Sequence, residues 1–210
     1  LNVELATNRA TGTITNDDPV PRILITNVAV AEGNSGFTNA VFALTLSNPS
    51  SLPISVNAAT GDNSAKQGED YVTSNRIVSF PPETKAAEFA VPVKGDELYE
   101  TNETFSVLLS GETNATLLTN RVVGTILNDE PLPTLSVAPV EKLEGNTDTT
   151  PFEFVARLSG LSSLQVSAEY LTITNRVAGA TTAIAGTDYE TTSGSSPSLP
   201  EQTASHSRFR

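Results

Sequence analysis

Hydrophobic and polar residues alternate along most of the chain, in short segments separated by Gly, Pro, Asn and Asp. Within residues 86–94, for example, Phe89, Val91 and Val93 fall on one face of an extended backbone. Alternation with a period of two, bounded by turn residues, indicates strands with one buried face. The pattern predicts seven strands, at residues 22–30, 39–46, 53–59, 76–80, 86–94, 103–109 and 121–127.

Seven strands within about 110 residues are typical of two packed antiparallel sheets. No segment shows a sustained helical period, and the abundant Thr, Asn, Ser and Val favour strands and turns. We therefore expect an all-β protein built on a seven-stranded immunoglobulin-like antiparallel β-sandwich.

The sequence also repeats itself with a period of 112 residues. Gly12-Thr13-Ile14 returns as Gly124-Thr125-Ile126, since 124 − 12 = 112. Such self-similarity is the signature of tandem modules. It predicts the end of a truncated repeat at 1–18, a complete domain at 19–131 and an incomplete repeat at 132–210. Paired prolines in the links between these parts predict restricted bending.

The third part departs from the period. Its Gly186-Thr187-Asp188-Tyr189 segment lies 118 residues after Gly68-Glu69-Asp70-Tyr71, so about six residues are inserted before it. We expect the insertion to leave Ala178–Ala180 near the place of Asp62, and we assign no metal site to this part. Because it lacks counterparts of the last strands, we expect poor order and exposed edges, unless residues 1–18 dock onto it.

The composition argues against several classes of function. The net charge of −12 argues against nucleic-acid and anionic lipid partners, which need basic patches. No apolar run of 18 residues exists, so we expect no membrane insertion in this window. Cysteine is absent and His206 is the single histidine, which leaves no evident nucleophile–base pair, so we expect no enzyme. Cations are the natural partners, although acidity for solubility alone stays open.

The acids of the middle domain cluster in certain turns. Turns that follow odd-numbered strands of a meander emerge at one end of the sandwich, and these turns hold Glu32, Asp62, Asp96, Glu97, Glu100, Glu103, Asp129 and Glu130. Two unit charges about 4 Å apart repel by roughly 4 kcal/mol at an effective dielectric near 20, and by about 1 kcal/mol in water. Such a cluster must stay splayed in solvent, take up protons or bind a cation.

Among cations, Ca²⁺ suits these residues best. It accepts roughly six to eight oxygen ligands in flexible geometry, whereas Mg²⁺ dehydrates reluctantly. Zn²⁺ and Cu²⁺ prefer Cys and His ligands. A solvated, metal-free acidic turn set remains the alternative.

The same turns carry a family resemblance. The middle domain resembles the Calx-beta module through Glu32-Gly33-Asn34, Gly68-Glu69-Asp70-Tyr71, Glu100-Thr101-Asn102-Glu103 and Gly124-Thr125-Ile126-Leu127-Asn128-Asp129-Glu130. That family is known from sodium–calcium exchangers and from large bacterial and extracellular-matrix surface proteins. The resemblance implies a seven-stranded immunoglobulin-like sandwich that binds calcium.

Carried over by position, the resemblance implies the calcium ligands Glu32, Asp62, Asp96, Glu100, Glu103, Asp129 and Glu130. A backbone carbonyl near Leu98 would join them. Exchanger-type modules carry runs of three aspartates where this chain reads Gly95-Asp96-Glu97 and Asn128-Asp129-Glu130, so we expect fewer ions and weaker affinity. For Asp70 and Tyr71 we expect structural roles, with backbone bonds to the carboxylate and a core position for the ring.

The function expected from the resemblance is a calcium-binding module of a large secreted or cell-surface repeat protein. It would stiffen the array and support adhesion or cell–matrix communication, with neighbouring Calx-beta repeats and other surface or matrix proteins as partners. A metal-free spacer and a regulatory calcium sensor of a membrane transporter are the alternatives. We expect an extracellular or cell-surface location.

Overall fold

The computed structural model describes residues 6–7, 9–174 and 182–195, and the backbone of residues 207–209. Ala178–Ala180 and His206, about which the sequence raised expectations, lie outside this part. The described residues form strands and no helix, and therefore no helix that could cross a membrane.

Ten strands belong to the middle domain. They are β1 (Arg22–Ile25), β2 (Val28–Ala31), β3 (Phe37–Leu46), β4 (Ile54–Asp62), β5 (Asn75–Phe80), β6 (Ala86–Lys94), β7 (Leu98–Tyr99), β8 (Glu103–Thr113), β9 (Thr116–Leu117) and β10 (Arg121–Leu127). The following part contributes β11 (Leu135–Val137), β12 (Phe154–Leu158), β13 (Leu161–Ser162), β14 (Glu169–Leu171), β15 (Ser193–Ser195) and β16 (Ser207–Phe209).

Two sheets form the middle domain. One has the order β6-β3-β1-β9, and the other has the order β2-β10-β8-β4-β5. Most neighbours are antiparallel, while β2 runs parallel to β10 and β1 runs parallel to β9. The expected all-β immunoglobulin-like sandwich is confirmed, and each of the seven predicted strands has its counterpart in the structure.

The first predicted strand, 22–30, was wrong in one respect, because it is broken at Thr26 and Asn27. Its first half pairs with β3 in one sheet, and its second half pairs with β10 in the other. The Asn27 side chain accepts a hydrogen bond from the backbone N–H of Val123 at 2.9 Å, which anchors the crossing. The alternation changes phase at this break, because Ile23 and Ile25 occupy odd positions whereas Val28 and Val30 occupy even ones. The hydrophobic pattern thus carried a signal of the break that the single predicted strand overlooked.

Aromatic rings fill the space between the two sheets. Phe42 lies 6.4 Å from Phe89 and 6.0 Å from Phe105, and Tyr71 stacks on Phe105 with ring centroids 4.8 Å apart. All four rings are buried. Burial of such a side chain stabilises the fold by roughly 1.5–3 kcal/mol. A Cβ at Gly124 would collide with the ring of Phe105, which explains why the opposite strand has glycine there.

The part after residue 131 begins as the middle domain does. β11 pairs with β12 in the register of β1 with β3 shifted by 112, so that Leu135 faces Leu158 as Ile23 faces Leu46. The backbone N–H of Thr134 donates to the Ser159 hydroxyl at 2.9 Å, as that of Arg22 donates to Ser47 at 3.0 Å. The 112-residue period is therefore present in the hydrogen bonds as well as in the sequence.

One expectation about this part needs correction. Tyr189 corresponds to Tyr71, and its hydroxyl lies 2.8 Å from the Thr174 hydroxyl, in the arrangement in which Tyr71 meets Asp62. Thr174, which is 112 residues after Asp62, thus takes the place that the sequence analysis gave to residues near 178–180. The inserted residues follow that position instead of preceding it.

Two further expectations concern the ends of the chain. Residues 9–18 are exposed and form no strand, and no pairing with residues 132–174 or 182–195 is seen. Large apolar side chains of the following part are exposed, among them Leu143, Leu171 and Ile173. The division into 1–18, 19–131 and 132–210 stays a prediction, as does the poor order of the last part, which involves residues outside those described.

Candidate metal centre

Four acidic turns of the middle domain meet at one end of the sandwich, which we call the acidic pole. It comprises residues 32–36, 62–70, 95–103 and 128–130. The strand pairing brings them together, because Leu127 lies beside Ala31, Ile126 faces Glu103, and Asp62 faces Phe105. The four turns thus lie at the same end of the sandwich, as expected for turns that follow odd-numbered strands.

Backbone contacts hold the acidic pole together. The N–H of Gly33 donates to Asp129 Oδ1 at 3.0 Å, and that of Glu100 donates to Asn128 Oδ1 at 2.7 Å. Gly95 is packed so closely that a Cβ there would collide with the carbonyl of Gly33. These contacts bind the first, third and last turns into one unit.

Glu32, Asp129 and Glu130 form the first acidic group, with one carboxylate oxygen from each lying within 4.8 Å of the others. Glu32 and Glu130 are only 5% and 7% exposed. Neither carboxylate oxygen of Glu130 has a hydrogen-bond partner among the described residues. A buried carboxylate without a partner is costly, so this group is built for a bound cation or for protons.

The charges around Glu32 act on its protonation. Burial, followed in order by the charges of the neighbouring carboxylates of Glu130, Asp96, Glu100 and Asp129, raises the pKa of Glu32 to about 8. A carboxyl group that resists ionisation among other acids gains most from a nearby positive charge.

Asp70, Glu100 and Glu103 form the second acidic group, again with ligand oxygens within 4.8 Å of one another. Burial, a hydrogen bond with Asp70 and the charges of Asp70 and Glu100 raise the pKa of Glu103 to about 7. Burial is also the main reason that the pKa of Glu100 is raised, with the charge of Asp70 next.

Asp70 was not among the predicted ligands, although its predicted structural role is observed. Its Oδ2 accepts the backbone N–H of Lys66 at 2.6 Å, and Tyr71 lies in the core. The same carboxylate faces Glu100 and Glu103, so the backbone bond and the acidic group share one side chain. Its position in a turn at the acidic pole was the available signal.

Asp62 belongs to neither group. Its Oδ1 accepts the hydroxyl of Tyr71 at 2.6 Å and the backbone N–H of Gln67 at 3.0 Å. The hydrogen bond from Tyr71 is the largest of the influences that lower the pKa of Asp62. Asp62 thus stabilises the turn 62–70 through these two hydrogen bonds. Its role as a metal ligand stays a prediction.

Asp96 belongs to neither group. Its Oδ1 accepts the backbone N–H of Leu98 at 2.8 Å, and its charge raises the pKa of Glu32 in one group and of Glu100 in the other. Five of the seven predicted side chains therefore lie in the two groups, namely Glu32, Glu100, Glu103, Asp129 and Glu130.

The donor set decides which cation these residues fit. Every candidate ligand atom is a carboxylate oxygen. Hard cations prefer oxygen, and Ca²⁺ accepts the irregular arrangements that turns provide more readily than Mg²⁺. The Glu130 carboxylate without a hydrogen-bond partner and the raised pKa of Glu32 show that this group favours a nearby positive charge. The residues present fit Ca²⁺.

Several solved structures are similar to this chain. It is similar to the solved apo-form Calx CBD1 domain, with 23% identity over 53% of this chain and 100% of that one, and a TM-score of 0.49. It is also similar to CBD12 from CALX1.2, with 19% identity, coverage of 90% and 74%, and a TM-score of 0.48. The calcium binding domain CBD12 of CALX1.1 gives 18% identity, coverage of 87% and 71%, and a TM-score of 0.46. No curated protein matched.

The model of the Calx-beta domain family matches residues 16–131, which is more than half of the 210-residue chain. That range contains the whole sandwich and every residue of the acidic pole. The chain therefore belongs to the Calx-beta family.

Proposed function

We propose that the middle domain is a calcium-binding module. The observation that carries this proposal is the carboxylate of Glu130, which is 7% exposed and has no hydrogen-bond partner among the described residues. It lies against a second buried acid, Glu32, and beside Asp129. A divalent cation at this point would offset most of the negative charge of three carboxylates that the fold otherwise holds together at a cost.

The two acidic groups indicate which residues would hold the ion. Glu32, Asp129 and Glu130 offer one set of oxygens, and Asp70, Glu100 and Glu103 offer the other. The charge of Asp96 acts on Glu32 in one group and on Glu100 in the other, so Asp96 would support binding at either. When bound, calcium supplies charge neutralisation and cross-linking of the turns, while the chain supplies the oxygens and the tight backbone approach at Gly95.

The wider role follows from the repeat. We propose that the chain is part of a large secreted or cell-surface protein, in which such modules stiffen an array and support adhesion or cell–matrix communication. The 112-residue period, its recurrence in the hydrogen bonds at Thr134 and Ser159, and the net charge of −12 support an extended acidic array. The module acts by binding, without catalysis.

Calorimetric titration of the full chain with CaCl₂ tests the calcium proposal. We expect heat of binding in the wild type and a loss of at least tenfold in affinity for Glu130→Gln, which keeps the shape but removes the charge. Glu112→Gln is the matched control, because Glu112 is exposed near the end of β8, at the other end of the sandwich.

Wild-type protein that takes up no calcium at millimolar concentration, with an unchanged melting temperature, would overturn the proposal. The module would then act as a metal-free spacer. Equal affinity losses in the two variants would also count against it, because a general dependence on net charge would explain them.

A further inference from the structure

The acidic pole is not made by the middle domain alone, because a turn from the following part lies on it. β13 pairs in parallel with β7, with Leu161 beside Leu98 and Ser162 beside Tyr99. β7 is the short strand inside the acidic turn 95–103, immediately before Glu100.

Ser163 makes the closest polar contacts across this joint. Its backbone N–H donates to the carbonyl oxygen of Tyr99 at 3.1 Å, and its hydroxyl reaches the same oxygen at 3.3 Å. On the other side of that peptide group, the N–H of Glu100 donates to Asn128 Oδ1 at 2.7 Å. The peptide between Tyr99 and Glu100 is therefore held at both ends, by two different parts of the chain.

This clamp acts on Glu100, since fixing the peptide group fixes the point from which the Glu100 side chain leaves the backbone. Glu100 belongs to the acidic group that also contains Asp70 and Glu103.

We propose that Ser163 is a positioning residue of the metal centre, supplied to the middle domain by the part that follows it. The proposal rests on the proposed calcium function and adds that the site is complete only when the next part is docked. In the described part of the chain, Ser163 reaches the acidic groups through the peptide between Tyr99 and Glu100. It therefore acts by holding Glu100 in place.

The turn that carries Ser163 recurs in the middle domain. The N–H of Leu164 donates to the Ser162 hydroxyl at 3.1 Å, and 112 residues earlier the N–H of Leu52 donates to the Ser50 hydroxyl at 3.0 Å. Ser51, the counterpart of Ser163, is exposed. The middle domain thus presents the same turn, with the same hydroxyl, to whatever acidic pole precedes it.

The test compares calcium affinity by calorimetry in four full-length proteins, which are the wild type, Ser163→Ala, Ser163→Thr and Ser162→Ala. We expect Ser163→Ala to weaken binding by about tenfold, as loss of partners behind metal ligands usually does. Ser163→Thr keeps the hydroxyl and should restore the wild-type affinity. Ser162→Ala alters the same turn without touching the Tyr99–Glu100 peptide through its side chain, and should bind as the wild type does.

The outcomes separate this proposal from the one on which it rests. Wild-type protein without calcium uptake overturns both. Calcium uptake that is unchanged in Ser163→Ala overturns the role of Ser163 alone. A loss in Ser162→Ala as large as in Ser163→Ala, or no rescue by Ser163→Thr, would show that only docking of the turn matters and would overturn the hydroxyl clamp. Melting curves of each variant confirm that it is folded.

Discussion

At the scale of single residues, the acidic pole shows how one side chain serves both the fold and the site. Asp70 accepts a backbone hydrogen bond that shapes its turn, and it faces Glu100 and Glu103 with the same carboxylate. Sequence reasoning assigned Asp70 to structure and Asp62 to metal. The structure brings Asp70 into an acidic group and leaves Asp62 bonded to Tyr71. Asp62 and Asp70 are the same residue type and lie in the same turn, so the sequence does not distinguish their roles. Only the direction of each side chain distinguishes them.

The bond between Tyr71 and Asp62 leads to a prediction about stability. Tyr71→Phe should lower the melting temperature at neutral pH, because a buried ring loses its charge-assisted hydrogen bond at 2.6 Å. Tyr99→Phe is the control, since the hydroxyl of Tyr99 has no such bond among the described residues.

The pH dependence of that difference has a definite sign. The hydrogen bond from Tyr71 lowers the pKa of Asp62, so the stability it provides is present above the ordinary aspartate pKa of about 4 and is lost as pH falls through the folded value. Thermal denaturation should therefore show the gap between wild type and Tyr71→Phe closing in acid. A gap that persists unchanged at pH 2 would contradict this role.

At the scale of elements, strand pairing determines where the turns meet. The parallel pairing of β2 with β10 puts Ala31 beside Leu127, and so places Glu32 against Asp129 and Glu130. This pairing exists because the first strand breaks at Asn27 and changes sheets. An unbroken strand over 22–30 would have kept the first turn on the other sheet, away from the end of β10.

Because Gly95 lies close to the carbonyl of Gly33, one added methyl group at position 95 should destabilise the domain. Gly95→Ala should destabilise the domain by roughly 1–3 kcal/mol, because the new Cβ collides with the carbonyl of Gly33 and must push two turns apart. It should weaken calcium uptake as well. Gly160→Ala is the control, since a Cβ there meets nothing within 4 Å.

Urea denaturation measures the first effect, and calorimetry with CaCl₂ measures the second. Wild-type stability in Gly95→Ala would show that the two turns move apart freely. The contact between Gly95 and Gly33 would then not hold the turns of the acidic pole together.

At the scale of the whole molecule, the metal-free domain should lose stability as pH rises. The pKa values of Glu32 and Glu103 are raised to about 8 and about 7 in the folded state. Raised carboxyl pKa values mean that the folded protein holds protons which the unfolded chain releases near pH 4.3. The stability from these two groups is complete below that pH and is lost as pH passes through about 7 to 8.

The measurement is the melting temperature from pH 5 to pH 9, with EDTA and with excess CaCl₂. With EDTA, the melting temperature should fall over this range. With calcium, the fall should vanish, because the ion replaces the protons between the carboxylates. A flat profile in EDTA would mean that these carboxylates are solvated and do not repel one another.

The sequence by itself determined the strands, the sandwich, the family and the end of the molecule at which the acids gather. These follow from local alternation, turn residues and strand parity, which depend on neighbours along the chain. Only the tertiary structure decided that the first strand divides between sheets, that Asp70 joins the acidic group in place of Asp62, and that Ser163 clamps the peptide before Glu100. Each of these depends on contacts between segments far apart in the chain, because a local pattern gives neither the pairing partner of a strand nor the direction of a side chain.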